Sequence, residues 1–254
     1  MREAEPTTLA EQRFWEQEYY WAAADLPCRP DPGLPLDSAL GSALRELAGV
    51  GPGDSVIEIG CAPAKWLVHI AEGTGARVEG IEYSEPGAQL SEANLRACGV
   101  EGRIHHADFF AHEPGEYDLV LSLGFIEHFE GLEEVFARHV EFMRPGGRLL
   151  LGVPNFLGVN GFLQRHSDRS YLGLHNLAAM EPAELRRLGE GCGLRLLDQR
   201  YLGGADATIV KPGPRWVTGI VLAEGRLLRL GLTAGLSNRW FAPYLLTAYA
   251  KPRD

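Results

Sequence analysis

Glu58-Ile59-Gly60-Cys61-Ala62-Pro63-Ala64-Lys65 follows the apolar pair Val56-Ile57, so an acidic residue and a turn of small residues sit where a buried strand would hand over to a helix. Small residues let backbone approach a ligand closely. A second carboxylate, Glu82 in Gly80-Ile81-Glu82-Tyr83-Ser84, comes about 22 residues after Gly60. It falls at the carboxyl end of the next apolar run, where it can accept both ribose hydroxyls of a nucleoside. Two nucleoside chemistries share this arrangement. A dinucleotide fingerprint anchored at Gly60 would require glycines at 62 and 65, which here are Ala62 and Lys65. The missing third glycine, needed where helix packs on strand, keeps nicotinamide binding as the weaker alternative.

The elements that must hold these residues follow from the hydrophobic rhythm. Between Asp54 and Gly152, short apolar runs alternate with helical stretches, the pattern of βαβ units in a parallel sheet. Strands are expected at Ser55 to Ile59, Arg77 to Tyr83, Gly102 to Ala107, Tyr117 to Leu123 and Gly147 to Val153. Ahead of them, Thr7 to Ala24 is aromatic-rich and helix-compatible, and Asp37 is placed to cap a helix running to Leu47. Pro154 to Ala179 reads as a loop or short-helix insertion, Pro182 to Glu190 as a helix with proline in its first turn, and Leu194 to Tyr201 as a sixth strand. Trp216, Ile220, Ala223, Leu227 and Leu230 recur at helical spacing before a last strand at Tyr244 to Ala250.

In this order and spacing the chain resembles the class I S-adenosylmethionine-dependent methyltransferases. Glu58 and Gly60 match the acidic residue and first glycine of that family's turn, while Ala62 and Ala64 replace more usual glycines. Ala107-Asp108-Phe109 stands where the family places a side chain by the adenine amine with an apolar neighbour. Ser122-Leu123-Gly124-Phe125-Ile126-Glu127-His128-Phe129 resembles the segment that passes the methionyl part of the cofactor, and Arg144-Pro145-Gly146-Gly147 its turn into strand five. The resemblance covers Ser55 to Asn155 and is weaker beyond. It implies an α/β, Rossmann-like, doubly wound sheet of seven mostly parallel strands with an antiparallel last strand. N-terminal helices and insertions after strands five and six would complete it. Residues 1–50 would be a helical segment that could serve as a lid. Residues 51–254 would be the cofactor-binding domain, with insertions near 154–179 and 203–242.

The implied activity is transfer of the sulfonium methyl to a nucleophile on a small-molecule acceptor, releasing S-adenosylhomocysteine. The cofactor contacts it implies are Glu58, Gly60, Cys61, Ala62, Glu82, Tyr83, Ser84, Asp108, Phe109, Leu123 and Gly124. Such a reaction chiefly needs the partners held in near-attack geometry. A base helps where the nucleophile carries a proton, and His128 and His175 are the candidates because both fall toward the carboxyl edge of the sheet. His105, His106, His112, His139 and His166 read as surface or packing residues. Acceptor contacts are expected from Tyr19, Tyr20, Asn155 and the neighbouring Trp15. No metal is expected, since adjacent Glu127 and His128 do not converge on one ion. A cofactor-binding sensor or partner module without turnover is the alternative from another class.

Composition narrows the rest. The chain has 254 residues, 45% hydrophobic and 23% charged, which excludes disordered and fibrous classes. A net charge of −10 disfavours nucleic acid as a partner. The charge is uneven, because residues 202–254 carry seven basic side chains against three acidic ones. Four scattered cysteines suggest free thiols and a cytoplasmic setting. Glu224, Arg226 and Arg229 interrupt the most apolar late stretch, so no integral membrane segment is expected. Homo-oligomerisation stays open.

Overall fold

The computed structural model describes residues 6–11, 13–15, 25–211 and 213–253. Ser55–Ile59 (β1), Arg77–Glu82 (β2), Gly102–His106 (β3), Tyr117–Leu123 (β4), Met143–Pro154 (β5), Arg195–Leu202 (β6) and Tyr244–Ala250 (β7) form one sheet in the order β3-β2-β1-β4-β5-β7-β6. β7 runs antiparallel to both β5 and β6, and the other pairings are parallel. The helices are Pro35–Leu47 (α1), Lys65–Thr74 (α2), Glu85–Cys98 (α3), Leu132–Glu141 (α4), Val159–Ser167 (α5), Arg169–Leu172 (α6), Pro182–Gly191 (α7) and Arg215–Arg229 (α8). The doubly wound α/β sheet read from the sequence is what the chain forms.

Both faces of the central strands are covered, which is why β1 and β4 are rich in apolar residues, with Glu58 and Ser122 as buried polar exceptions. Val56, Leu119 and Leu121 pack with Leu44, Leu67 and Ile70 of α1 and α2. Their strand neighbours Ile57 and Val120 pack on the opposite side with Val135, Phe136 and Leu185 of α4 and α7. The strand order reverses between β1 and β4, and ligands of open α/β sheets bind at that crevice, beyond the carboxyl ends of the strands.

Three local expectations change. Asp37 lies inside α1, whose cap position is Leu34 with Pro35 following. Its carboxylate instead receives Lys65 Nζ at 2.9 Å and the Asp31 N–H at 2.9 Å. β5 begins at Met143 because Gly146, at φ 79°, carries the chain through a register shift rather than ending the pairing. α8 seats through buried Val217 and Leu228, while Trp216, Ile220 and Leu227 at helical spacing face outward at 47, 38 and 42% exposure. Within the aromatic N-terminal stretch, Arg13 to Trp15 form a helical turn, and Tyr19 and Tyr20 lie outside the described residues.

Gly80 on β2 is dictated by close approach. A Cβ there would stand 2.5 Å from Cys61 Sγ and 3.1 Å from Ile104 Cδ1. Gly80→Val is expected to lower stability by about 1–3 kcal/mol through overpacking, read as an earlier midpoint in urea unfolding. Adding Cys61→Ala should return part of that loss.

Candidate functional site

β1 ends in a turn that is stitched to the end of β2. Gly60 and Cys61 both donate their N–H groups to the Ile81 carbonyl, at 2.9 and 3.2 Å. Gly60 at φ 69° and Ala64 at φ 62° bend the chain into α2. A side chain at Gly60 would meet the Phe125 ring at 3.0 Å, so this glycine leaves the backbone bare between ring and strand. Beneath the turn, the buried Glu58 carboxyl accepts the Leu67 N–H near the start of α2, and its Oε2 has no partner among the described residues. Burial pushes that carboxyl well above the usual range, with nearby Lys65 opposing. Glu82 accepts the Ser84 N–H at 2.9 Å and reaches back to the Ala62 N–H at 3.3 Å. Its burial raises its pKa and these backbone donors hold it down.

The turn opens on a cavity of about 270 Å³. Gly60, Ala62, Glu82, Tyr83, Asp108, Phe109, Leu123, Gly124 and His128, all expected from the sequence, line it together. Asp108 accepts the Phe110 N–H at 2.7 Å, fixing its carboxylate at the end of β3. Phe109 is only 4% exposed, and its ring is shared by Phe110, Phe125 and Phe142, with centroids 5.2 to 5.4 Å away. It is a wall more than a free stacking face. Two carboxylates at adjacent strand ends, bare backbone at Gly60 and an aromatic wall can accept the hydroxyl and amine hydrogens of a nucleoside and cover its base.

Other expected residues lie behind that surface. Cys61 is buried under the turn, its thiol 4.0 Å from Ser91 Oγ and pushed upward by burial. Ser84 caps α3 through the Gly87 N–H at 3.0 Å. Asn155 is 1% exposed and clasps the Arg239 and Ala242 carbonyls at 3.0 and 2.8 Å. His175 stands behind His128, ring centroids 4.8 Å apart, with Nδ1 2.9 Å from the Tyr171 carbonyl. His139 is fully buried, bridging the Val135 carbonyl and Ser122 Oγ.

His128 places an imidazole ring on the cavity wall. Its Nδ1 lies 2.8 Å from the Leu174 carbonyl, so that nitrogen carries the hydrogen and Nε2 keeps its lone pair. Burial, with His175 beside it, lowers its pKa to about 3. Glu127 Oε1 lies 3.7 Å from that Nε2, Oε2 has no partner among the described residues, and burial pushes the carboxyl up to about 8. The pair is therefore neutral around pH 7, a protonated acid beside a neutral imidazole.

A profile described as a methyltransferase domain matches residues 36–199. The chain belongs to the class I S-adenosylmethionine-dependent methyltransferase family. It is 29% identical over 152 residues to a ubiquinone biosynthesis O-methyltransferase of Thiobacillus denitrificans, covering 56% of this chain and 65% of that protein. It is 30% identical over 148 residues to the 27-O-demethylrifamycin SV methyltransferase of Amycolatopsis mediterranei, covering 53% and 54%. The chain thus spans less than two thirds of these curated relatives. A geranyl diphosphate C-methyltransferase from Streptomyces coelicolor A3(2) shares the fold with TM-score 0.63 at 18% identity, over 85% of this chain and 79% of that one. The cyclopropane synthase MmaA2 from Mycobacterium tuberculosis does so with TM-score 0.66 at 16% identity, over 98% and 100%.

In this chain the N-terminal segment supplies wall that no core motif announces. Pro6, Thr8, Ala10 and Trp15 line the cavity. The Leu9 N–H donates to the His128 carbonyl at 2.7 Å and the Glu130 N–H to the Thr7 carbonyl at 3.0 Å, laying the segment across the sheet edge. Phe125, Phe129 and Glu127 were also missed as site residues. Their sequence signal was membership of the Ser122 to Phe129 segment.

The Glu127 carboxyl keeps its proton in the folded protein up to about pH 8, whereas its unperturbed value is 4.5. Its stabilising contribution is full below that lower value and is lost as pH rises through the upper one. His128 and His175, lowered to about 3 and about 4 from 6.5, act in the opposite sense and only as pH falls below 6.5. Between about pH 6.5 and pH 8 the melting temperature should therefore fall less in Glu127→Gln than in the parent protein, measured by scanning fluorimetry without cofactor.

Proposed function

We propose that this chain transfers the methyl group of S-adenosylmethionine to a nucleophile on a small-molecule acceptor and releases S-adenosylhomocysteine. The observation that carries the reading is the convergence of Glu82, Asp108 and the bare Gly60 backbone on one cavity at the switch point of the sheet. The residues present suit that cofactor. Glu82 would accept the ribose hydroxyls, Asp108 the adenine amine, and the Gly60–Ala62 backbone with Leu123 and Gly124 would flank the methionyl part. The cofactor supplies a methyl already activated by the sulfonium charge. Glu58 acts from below, holding the start of α2 and hence the turn, and Ser84 acts by fixing α3. Geranyl diphosphate and rifamycin chemistry in the names of relatives supports a small-molecule acceptor, as does the chain's net charge of −10.

His128 orients the acceptor in this reading. Its Nε2 lone pair can receive a hydrogen bond from an acceptor hydroxyl or amine, while its depressed pKa keeps the ring neutral throughout the physiological range. His175 positions His128 by packing against it. Trp15, 4.8 Å from the His128 ring, and the strand-like contact at residues 7–9 support the N-terminal segment as a lid that excludes water. Four free cysteines support a reducing, cytoplasmic setting.

Calorimetric titration with S-adenosylmethionine and S-adenosylhomocysteine tests the cofactor. Saturable binding is expected, weakened at least roughly tenfold in Glu82→Ala and in Asp108→Ala, since each removes a charged hydrogen-bond acceptor. Binding of a nicotinamide cofactor instead, by a folded protein, would sink the reading. A second measurement addresses His128. His128→Asn should lower kcat by roughly a hundredfold and leave cofactor affinity within a few fold. Unchanged kcat would reduce His128 to a structural role.

A further inference from the structure

We propose that the outward face of α8, with the adjoining end of α5, docks the protein on an anionic lipid bilayer surface. Two stripes run along α8. Val217 and Leu228 are buried, and Val217 packs against Leu163 of α5 and Val210. The second stripe is exposed. Trp216, Ile220, Leu227 and Leu230 are 47, 38, 42 and 73% exposed; Leu222, among the arginines of the same helix, and Leu232, past its end, are 59 and 70% exposed. The patch continues onto α5, where Phe162 is 52% exposed and His166 bridges it to Trp216, ring centroids 4.5 and 5.6 Å away. Large apolar side chains on a soluble surface mark a contact site when they are contiguous.

Charge decides which contact. Arg215, Arg226 and Arg229 are exposed on the flank next to the apolar stripe, at helical offsets that put them on one side. They belong to a segment with seven basic and three acidic residues in a chain of net charge −10. A helix with an apolar stripe bordered by arginines and tryptophan is suited to lie in a bilayer interface, apolar side chains in the acyl boundary and guanidinium groups on lipid phosphates. A two-fold contact with a second copy would be self-complementary and would bring these arginines toward their own equivalents. No described helix is long and apolar enough to cross a membrane, so the attachment is peripheral. The surface is mechanically close to the cavity. Lys211, just before α8, places its ammonium 5.7 Å from the Phe14 ring, and Trp15 stands against His128. Docking would thus bear on the N-terminal wall of the cavity.

Flotation of the full chain with vesicles tests the proposal without any methyl acceptor, so its outcome is independent of the methyl-transfer reading. Binding is expected to phosphatidylglycerol–phosphatidylethanolamine vesicles, falling with salt, and much weaker to phosphatidylcholine alone. Both Ile220→Asp/Leu227→Asp and Arg226→Glu/Arg229→Glu should reduce the bound fraction roughly tenfold or more. All these positions are exposed, and circular dichroism checks that each variant is folded. Three results would overturn the proposal. They are no binding by the parent chain, equal binding to both vesicle types, or a dimer that Ile220→Asp/Leu227→Asp splits while no form binds vesicles.

Discussion

The paired hydrogen bonds from Gly60 and Cys61 to the Ile81 carbonyl hold the site together. They join the end of β1 to the end of β2, and everything chemical hangs from that junction. Each bond is modest, on the order of 1 kcal/mol net. Their effect is positional. They aim the turn so that the Ala62 N–H meets the Glu82 carboxylate, and they bury Cys61 over Gly80, which has no side chain to obstruct it. A bulkier residue at 80 would lift the turn, and the carboxylate at 82 would lose the Ala62 N–H, one of the donors that orient it.

Burial governs the electrostatics of the same region. Glu58, Glu82 and Glu127 are raised and His128, His139 and His175 lowered, each with desolvation as the leading cause. The cavity floor is therefore poorer in charge than its composition suggests. Glu82 has backbone donors at Ser84, Ala62 and Tyr83, which favour the ionised form, where Glu127 has only its own N–H. One carboxylate suits the hydroxyls of a nucleoside, and the other stays a neutral acid beside the His128 lone pair.

The appendages form a second layer over this constant sheet. Residues 7–9 pair with the backbone after β4, the insertion after β5 brings His175 behind His128, and the stretch between β6 and β7 contributes α8. Aromatic contacts among Phe14, Lys211, Tyr171 and His175 connect them. Variation of function on one fold resides in such layers.

Strand positions, the carboxylates at 58 and 82, Asp108 and the small-residue turn were legible in the sequence because they obey local rules. Strands buried on both faces must be mostly apolar, a tight approach needs glycine, and a nucleoside site needs an acceptor at a strand end. Asn155 and Ser84 were plausible ligands on the same rules, but Ser84 is engaged by the first turn of α3 and Asn155 by the distant Arg239 and Ala242 carbonyls. No local pattern could tell which of two apolar stripes on α8 would be buried, because that depends on where α5 and Val210 stand. Nor could it show that Glu127 would be sealed from water and Phe109 enclosed by other rings. Periodicity fixes which residues share a face, and only the packing of distant segments decides what that face meets and how far each charge is removed from water.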